Sequence, residues 1–262
     1  MPYSLSINPK SYNNRPFGAK KLNEPQNKHD FLKNTAKVVA IGGALFFADL
    51  FLAKGKILST LTKNKISFIK NMSNDLDNVV LKDGFATKGR VEAFFSTPGL
   101  HAVWAHRMNH KLYEWNIPVL PRVMQNITRF FTGVEIHPGA TIGKNLLIDH
   151  TGAIIGQTAK VGDNVTMVGR VVLGSTGKGD EFLRHTIVED NVLLGMNSTL
   201  LGRIKIGKNA KIGAGSVVTH PVPKGATVIG NPAKIISVNG KKLKDALLLT
   251  ENSVEELKKI QN

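Results

Sequence analysis

The sequence predicts an α+β chain in which a helical N-terminal region is followed by a parallel β-helix of six-residue repeats. Three observations carry this reading. In "PGLHAVWAHRMNHKLYEW", residues 98–115, the apolar Leu100, Val103, Trp104, Met108, Leu112 and Trp115 recur at three- and four-residue steps, the spacing of one helix face. From Ile136 the period changes to six, through Ile136, Ile142 and Ile148, then Ile155, Val161, Met167 and Leu173, then Val188, Leu194, Leu200, Ile206, Ile212 and Val218. Glycine follows the aliphatic residue at 143, 156, 162, 174, 195, 207 and 213. A helix does not repeat every six residues. Short strands joined by tight turns do, with the aliphatic side chain pointing inward and Gly, or Asn at 164, 191 and 209, relaxing each turn. Three such strands make one triangular coil, and stacked coils bury a continuous aliphatic column.

Taken in order, residues 1–36 are rich in Asn, Lys, Pro and Ser and read as a poorly ordered basic tail. Residues 37–132 form the helical region, where Pro98 and Gly99 mark one helix start and Pro118 closes that segment. Within this region "VVAIGGALFFADLFLA", Val38–Ala53, is flanked by Lys37 and Lys54 and contains Asp49. It is shorter than the ~20 apolar residues of a spanning helix, so a buried or subunit-facing helix is expected, with membrane association as the minor alternative. Residues 133–238 form the β-helix. Residues 239–262 read as a tail with a short helix, Ser253 standing three residues before Glu256 as in a capping box.

Composition narrows the chemistry. There is no cysteine, which excludes disulfides, thiolate catalysis and cysteine–metal sites and fits a reducing, cytoplasmic compartment. The net charge is +16, and residues 1–70 hold 12 Lys/Arg against 3 Asp/Glu. Such a balance suits phosphate-rich small molecules, but no dense basic block with interleaved aromatics is present, so a nucleic-acid partner is not expected.

The repeat breaks twice, and both breaks carry histidine. From Ile148 to Ile155 the step is seven, through "IDHTGAI", with Asp149 and His150 side by side. From Leu173 to Val188 it is fifteen, through "LGSTGKGDEFLRHTIV", with Arg184 and His185. A solenoid gains nothing in packing from expelling such loops, so they are read as the site. "GSTGKG" lacks the spacing and context of a phosphate-binding P-loop. His106 and His110 stand four apart on a helix without an intervening Glu or a third ligand, and read as ordinary helix residues. His137, His150, His185 and His220 are too scattered to define a zinc site, so no metal is expected.

From about Asp75 to Ile236 these residues resemble the serine O-acetyltransferases, a family of hexapeptide-repeat acyltransferases. The resemblance is carried by "FFSTPGLHAVWAHRMNHKLYEW", "RFFTGVEIHPGATIG", "IDH", "LGSTGK", "RH", "IGAGSVV" and "GNPAKII". It implies a left-handed β-helix, an exception to the usual crossover hand, and transfer of an acetyl group from acetyl-CoA to L-serine, the first step of cysteine biosynthesis. By position, His150 matches the family's general base, Glu135 the acid that orients it, and His185 completes the catalytic group. Asp75 and Asp149 match acids that grip the substrate ammonium, while Arg184, with His185, matches residues that hold its carboxylate. Acetyl-CoA is expected along the coils between subunits, at Gly174, Gly195 and Gly213 and at Lys211 and Lys234. The implied assembly is a homotrimer or a dimer of trimers. Many members insert a C-terminal Ile into a partner sulfhydrylase; here Ile260 is followed by Gln261 and Asn262, which argues against that partnership.

Four departures surround the acceptor pocket. Gln157 stands where Glu is usual; the turn after His150 is one residue shorter; Gly169-Arg170 replaces Gln-Gly or His-Gly, with Ser175 for a loop Gly; and the Lys178–His185 loop is longer, with "RHT" for "RHP". Three rivals follow: a hexapeptide acetyltransferase acting on a sugar or other hydroxyl acceptor, a non-catalytic β-helix scaffold and, third, a metal-dependent hydratase.

Overall fold

The computed structural model describes residues 67–83, 88–177, 182–250, 252, 253, 255 and 257. The basic tail 1–36 and the apolar stretch Val38–Ala53 lie outside the described residues. Among those described, no helix is long and apolar enough to cross a membrane.

Four helices precede the strands: α1 (Ser67–Lys82), α2 (Arg90–Ser96), α3 (Pro98–Glu114) and α4 (Leu120–Thr132). Pro98 opens α3, where its missing N–H costs nothing, and Gly133 closes α4 in the left-handed region with its N–H on the Arg129 carbonyl at 2.8 Å. Met72, Leu76 and Val79 of α1, Ala93 of α2, and Leu100 and Trp104 of α3 form a small core that reaches Leu147 of the β-helix. The expected apolar face of α3 is only half buried. Leu100, Val103 and Trp104 are inside, but Met108 and Trp115 are exposed, while His106 and Asn109 are buried in their place. The reason is packing: α3 lies against α1 and α2 at its start but also against α4 and the first strand, which turns a different face inward.

Asp75 requires a correction. Expected at a substrate ammonium, it is fully buried on α1, where it receives the fork of Arg107 at 2.9 and 3.0 Å and the N–H of Asn145 at 3.1 Å. Arg107 also reaches the Gly143 carbonyl at 3.0 Å, so the pair ties α1, α3 and the first coil together. Burial pushes the Asp75 carboxyl upward, against the pull of Arg107 and Asn145. With these partners and no exposed surface, the carboxylate has no face left for a substrate.

The strands form a three-sided prism. One face stacks β1 (Glu135–Ile136), β4 (Ile154–Ile155), β7 (Val172–Gly174), β10 (Thr199–Leu201) and β13 (Val217–Val218). A second stacks β2 (Thr141–Ile142), β5 (Lys160–Val161), β8 (Ile187–Val188) and β11 (Lys205–Ile206). The third stacks β3 (Leu147–Ile148), β6 (Thr166–Met167), β9 (Leu193–Leu194), β12 (Lys211–Ile212) and β14 (Ala226–Ile229). All the pairings within these stacks are parallel, and the register puts like on like: Ile136 under Ile155, Leu173, Leu200 and Val218; Ile148 under Met167, Leu194, Ile212 and Val228. The residue two places earlier points inward as well, as Ala140, Ala159, Val165, Ser198 and Ala210 do, so the prism is filled at its corners by smaller side chains.

The turn chemistry divides differently from expectation. Asn145, Asn164, Asn191 and Asn209 adopt φ of +57 to +61°, and their amides form a ladder down one corner, with N–O distances of 2.8, 3.2 and 3.2 Å. The glycines after the aliphatic residues do not take positive φ; they are required by close approach. A Cβ at Gly195 would stand 2.6 Å from the Ala214 nitrogen of the next coil. The C-terminal region also departs from a tail. β15 (Lys234–Val238) and β16 (Lys241–Leu248) extend the third face as antiparallel strands. Leu249 and Leu257 join the core, and the buried Ser253 hydroxyl accepts the Thr250 N–H at 2.6 Å.

Two stability measurements test this architecture. Asp75→Ala, which leaves the Arg107 guanidinium buried and unpaired, should lower the unfolding free energy by about 3–5 kcal/mol in chemical denaturation. Leu194→Ala, at the centre of its column, should cost about 2–5 kcal/mol.

Candidate active site

The prism has three corners, and the two interruptions occupy two of them. His150 lies between the third face and the first, on the turn joining β3 to β4; Arg184 and His185 lie between the first and the second, at the end of the loop joining β7 to β8. The first face therefore stands between the two groups within one chain. The structure brings His150 to Asp149, and Arg184 to His185, but places the pairs at separate corners.

At the His150 corner the ring is exposed, with 61% of its side-chain surface open, and its Nε2 is 3.8 Å from Asp149 Oδ2. The backbone N–H of His150 donates to the Val168 carbonyl at 2.8 Å, and a Cβ at Gly169 would stand 2.7 Å from the His150 Cβ. Glycine at 169 is thus the space in which His150 sits. Arg170 follows at φ +49°, donates its N–H to Thr151 at 3.1 Å and lays its stem across Gly152. Helix α3 braces the same coil, because Gly99 presses on the carbonyl of Ile148 where no Cβ would fit.

Glu135, expected to orient His150, is engaged by another residue within this single chain. Its carboxylate pairs with Arg129 of α4 at 2.9 Å, and the acid beside His150 is Asp149. The last turn of α4 leads straight into β1, so Arg129 is the nearest strong donor. The backbones remain neighbours: the Gly152 N–H donates to the Gly133 carbonyl at 2.8 Å, one coil apart at this corner.

The His185 corner is organised by a residue that the motifs did not single out. The Thr158 hydroxyl accepts the N–H groups of Arg184 and His185 at 3.1 and 3.2 Å and lies 2.8 Å from His185 Nδ1. The Thr158 N–H also donates to Nδ1, at 3.3 Å, so Nδ1 is the acceptor and Nε2 carries the proton. The ring lies directly over Gly156, in space that a Cβ would occupy. Burial, then Arg184, lowers the His185 pKa, which favours the neutral ring. His137, two coils away at the same corner, is lowered to about 4 by burial first and then by the positive charge of Arg122 and Arg184 and the neighbouring His185 ring. Arg184 donates to the neutral Gln157 Oε1 at 3.1 Å, and Gln157 reaches Tyr113 at 3.4 Å. Among the described residues Arg184 has no carboxylate partner, which leaves its charge for a ligand. A depression of about 150 Å³ adjoins this corner, lined by Tyr113, Gln157, Thr158, Lys160 and Phe182. Only the hydroxyl at a turn hinted at Thr158 in the sequence; its role needs the loop folded back upon it.

The expected coenzyme residues divide. Gly195 and Gly213 continue the His150 corner into the next coils, whereas Gly174 ends β7 at the opposite corner. Lys211 and Lys234 are exposed on the third face. His110 donates Nδ1–H to the Pro138 carbonyl at 2.7 Å and lies beside the buried His106. Among the described residues no group of three or more His, Asp or Glu is placed to hold a metal ion.

Comparison with known proteins identifies the repeat, the fold and the family. Residues 185–220 match the family model described as "Bacterial transferase hexapeptide (six repeats)". The serine acetyltransferase of Bacillus licheniformis is 45% identical over 178 residues, spanning 68% of this chain and 82% of that protein. A crystal structure of Neisseria gonorrhoeae serine acetyltransferase in complex with serine aligns with a TM-score of 0.61 at 40% identity, over 64% of this chain and 68% of the other. Soybean serine acetyltransferase complexed with serine aligns with a TM-score of 0.63 at 37% identity, over 72% and 74%. The prism is thus the left-handed β-helix of hexapeptide transferases, and the chain belongs to the serine acetyltransferase family of acyltransferases.

Proposed function

We propose that this acyltransferase moves the acetyl group of acetyl-CoA to the hydroxyl of L-serine by direct transfer, with His150 as general base, in a site completed between neighbouring protomers. The observation that carries the reading is the separation of the two half-sites. A base with an adjacent acid stands at one corner, and a cationic, donor-rich cluster stands at another. Neither is a complete site for a zwitterionic alcohol, but a second copy could set Arg184 and His185 of one chain against His150 of the next.

The chemistry follows from the groups present. His150 takes the serine hydroxyl proton as the oxygen attacks the thioester carbon. The C–S bond then breaks, and the imidazolium returns the proton to the departing thiolate, leaving O-acetyl-L-serine and CoA. Asp149 lies on the Nε2 side of the ring, where it can accept the substrate ammonium beside the base and steady the imidazolium. Nδ1 is left for Glu135 once that carboxylate exchanges Arg129 for the ring. Arg184 and the Nε2–H of His185 suit the substrate carboxylate, so the two charges of an amino acid meet opposite partners. Backbone groups at Gly195 and Gly213 extend the same corner and would carry the coenzyme, with Gly174, Lys211 and Lys234 around its phosphates.

Helix α4 supports assembly into a homotrimer or dimer of trimers. Its inward face is Pro121, Gln125 and Thr132, while Leu120, Val123, Ile127, Phe130 and Phe131 face outward, Phe130 at 82% exposure. Apolar side chains on that scale mark a surface that another subunit covers.

Arg170 favours a second reading, in which the acceptor hydroxyl carries an additional anionic group. It holds a left-handed conformation that costs a non-glycine residue about 1–2 kcal/mol, and it adds a cation one coil from His150.

A thiol-release assay with purified protein tests the reaction: CoA should appear with acetyl-CoA and L-serine, and its absence would reject this acceptor, with other hydroxyl acceptors screened in the same assay. His150→Ala should lose at least ~10²-fold in turnover; near-normal turnover would remove His150 from the role. Phe130→Asp with Phe131→Asp should shift the protein toward monomer in light scattering and abolish turnover together. An active monomer would reject the shared site.

A further inference from the structure

Behind β1, between α3 and α4, lies a cavity of about 10 Å³, the room of one water molecule. His106, Asn109 and Gln125 line it, each at least 97% buried (3%, 2% and 2% exposed), and each leaves one polar atom unpartnered: His106 Nδ1, Asn109 Oδ1 and Gln125 Nε2. Leaving such groups unpaired in the interior is costly.

The donor and acceptor character of each atom is determined by its neighbours. Gln125 Oε1 accepts from Arg122 Nη1 at 2.7 Å, and a guanidinium can only donate, so the amide turns Nε2 into the cavity as a donor. The His106 ring donates to the backbone carbonyl of Ala140, whose N–H is committed to His137; with Nδ1 unpartnered that donor is Nε2, and Nδ1 presents a lone pair. Burial, then His110 and Arg107, lowers the His106 pKa to about 3, so the ring stays neutral. Asn109 Oδ1 is an acceptor by nature. Thr128, also on the wall, commits its hydroxyl proton to the Met124 carbonyl at 2.9 Å.

The occupant must therefore accept one hydrogen bond and donate two, within the volume of one small molecule. An ammonium or metal cation cannot accept from Gln125, and a halide cannot donate to His106 or Asn109. We propose that a single water molecule is an integral part of this fold, accepting from Gln125 Nε2 and donating to His106 Nδ1 and Asn109 Oδ1. It joins α3 to α4 at the back of the strand whose Val134 and Ile136 line the cavity, and so backs the residue between them, Glu135.

A crystal structure of the full chain, at a resolution where single waters refine, tests this directly. One fully occupied water about 2.7–3.2 Å from all three atoms is expected; no density there, or a direct bond between the side chains, overturns it. Nitrogen NMR of the same protein should show His106 as the neutral Nε2–H tautomer still at pH 5. A Nδ1–H tautomer, or titration near pH 6.5, would contradict the donor assignment. Gln125→Glu preserves shape and the Arg122 bond but replaces the donor with an acceptor. It should lower the urea midpoint and raise the His106 pKa; an unchanged midpoint with an unchanged His106 titration would also count against the water. These readouts are independent of turnover, so they stand whatever the acceptor proves to be.

Discussion

Everything in the β-helix depends on one constraint: successive coils must hydrogen-bond in parallel with aliphatic side chains directly above one another. The Ile148–Met167–Leu194–Ile212–Val228 column shows what this demands. Each strand is only two or three residues in most of the prism, too short to persist alone, so its stability comes from neighbours above and below. The same constraint explains the glycines. Where the chain turns after an inward aliphatic residue, the next coil's backbone comes so near that a Cβ would overlap it, as at Gly195 beneath Ala214. The asparagine ladder at another corner supplies the left-handed turns and hydrogen-bonds them to one another.

Such a stack confines chemistry to its corners. A face cannot admit an extra residue without shifting every side chain below it, but a turn can bulge outward at no cost to register. Both interruptions do this: Val161 still pairs with Val188 across the long loop, and Ile136 with Ile155 across the short one. Each inserted histidine is then seated on a glycine, His150 over Gly169 and His185 over Gly156. The scaffold thus offers two imidazoles, the exposed His150 beside an acid and the buried His185 beside an arginine.

The helices serve this arrangement from outside. Asp75 and Arg107 clamp α1 and α3 to the first coil, and Gly99 seats α3 on the strand that ends at Ile148. Helix α4 inverts the usual pattern, turning polar Gln125 and Thr132 inward and its phenylalanines outward. An inverted helix makes sense when the surface it meets within the chain is polar and the surface it meets outside is not.

The sequence by itself determined the prism, because a six-residue rhythm of aliphatic residues has no other way to bury its side chains, and it singled out the two histidine-bearing breaks, because packing alone gives so strict a repeat no reason to expel them. The pairing of Asp149 with His150, and of Arg184 with His185, was also legible, since each pair is adjacent in the chain. What only the tertiary structure decided were the contacts between distant segments: Asp75 with Arg107, Glu135 with Arg129, Thr158 beneath His185, and the inward turn of His106. These depend on how helices pack and how a loop returns, and a one-dimensional period carries no record of either. The carboxylate at 75 matched a motif in sequence, but burial, which no motif encodes, assigned it to the fold.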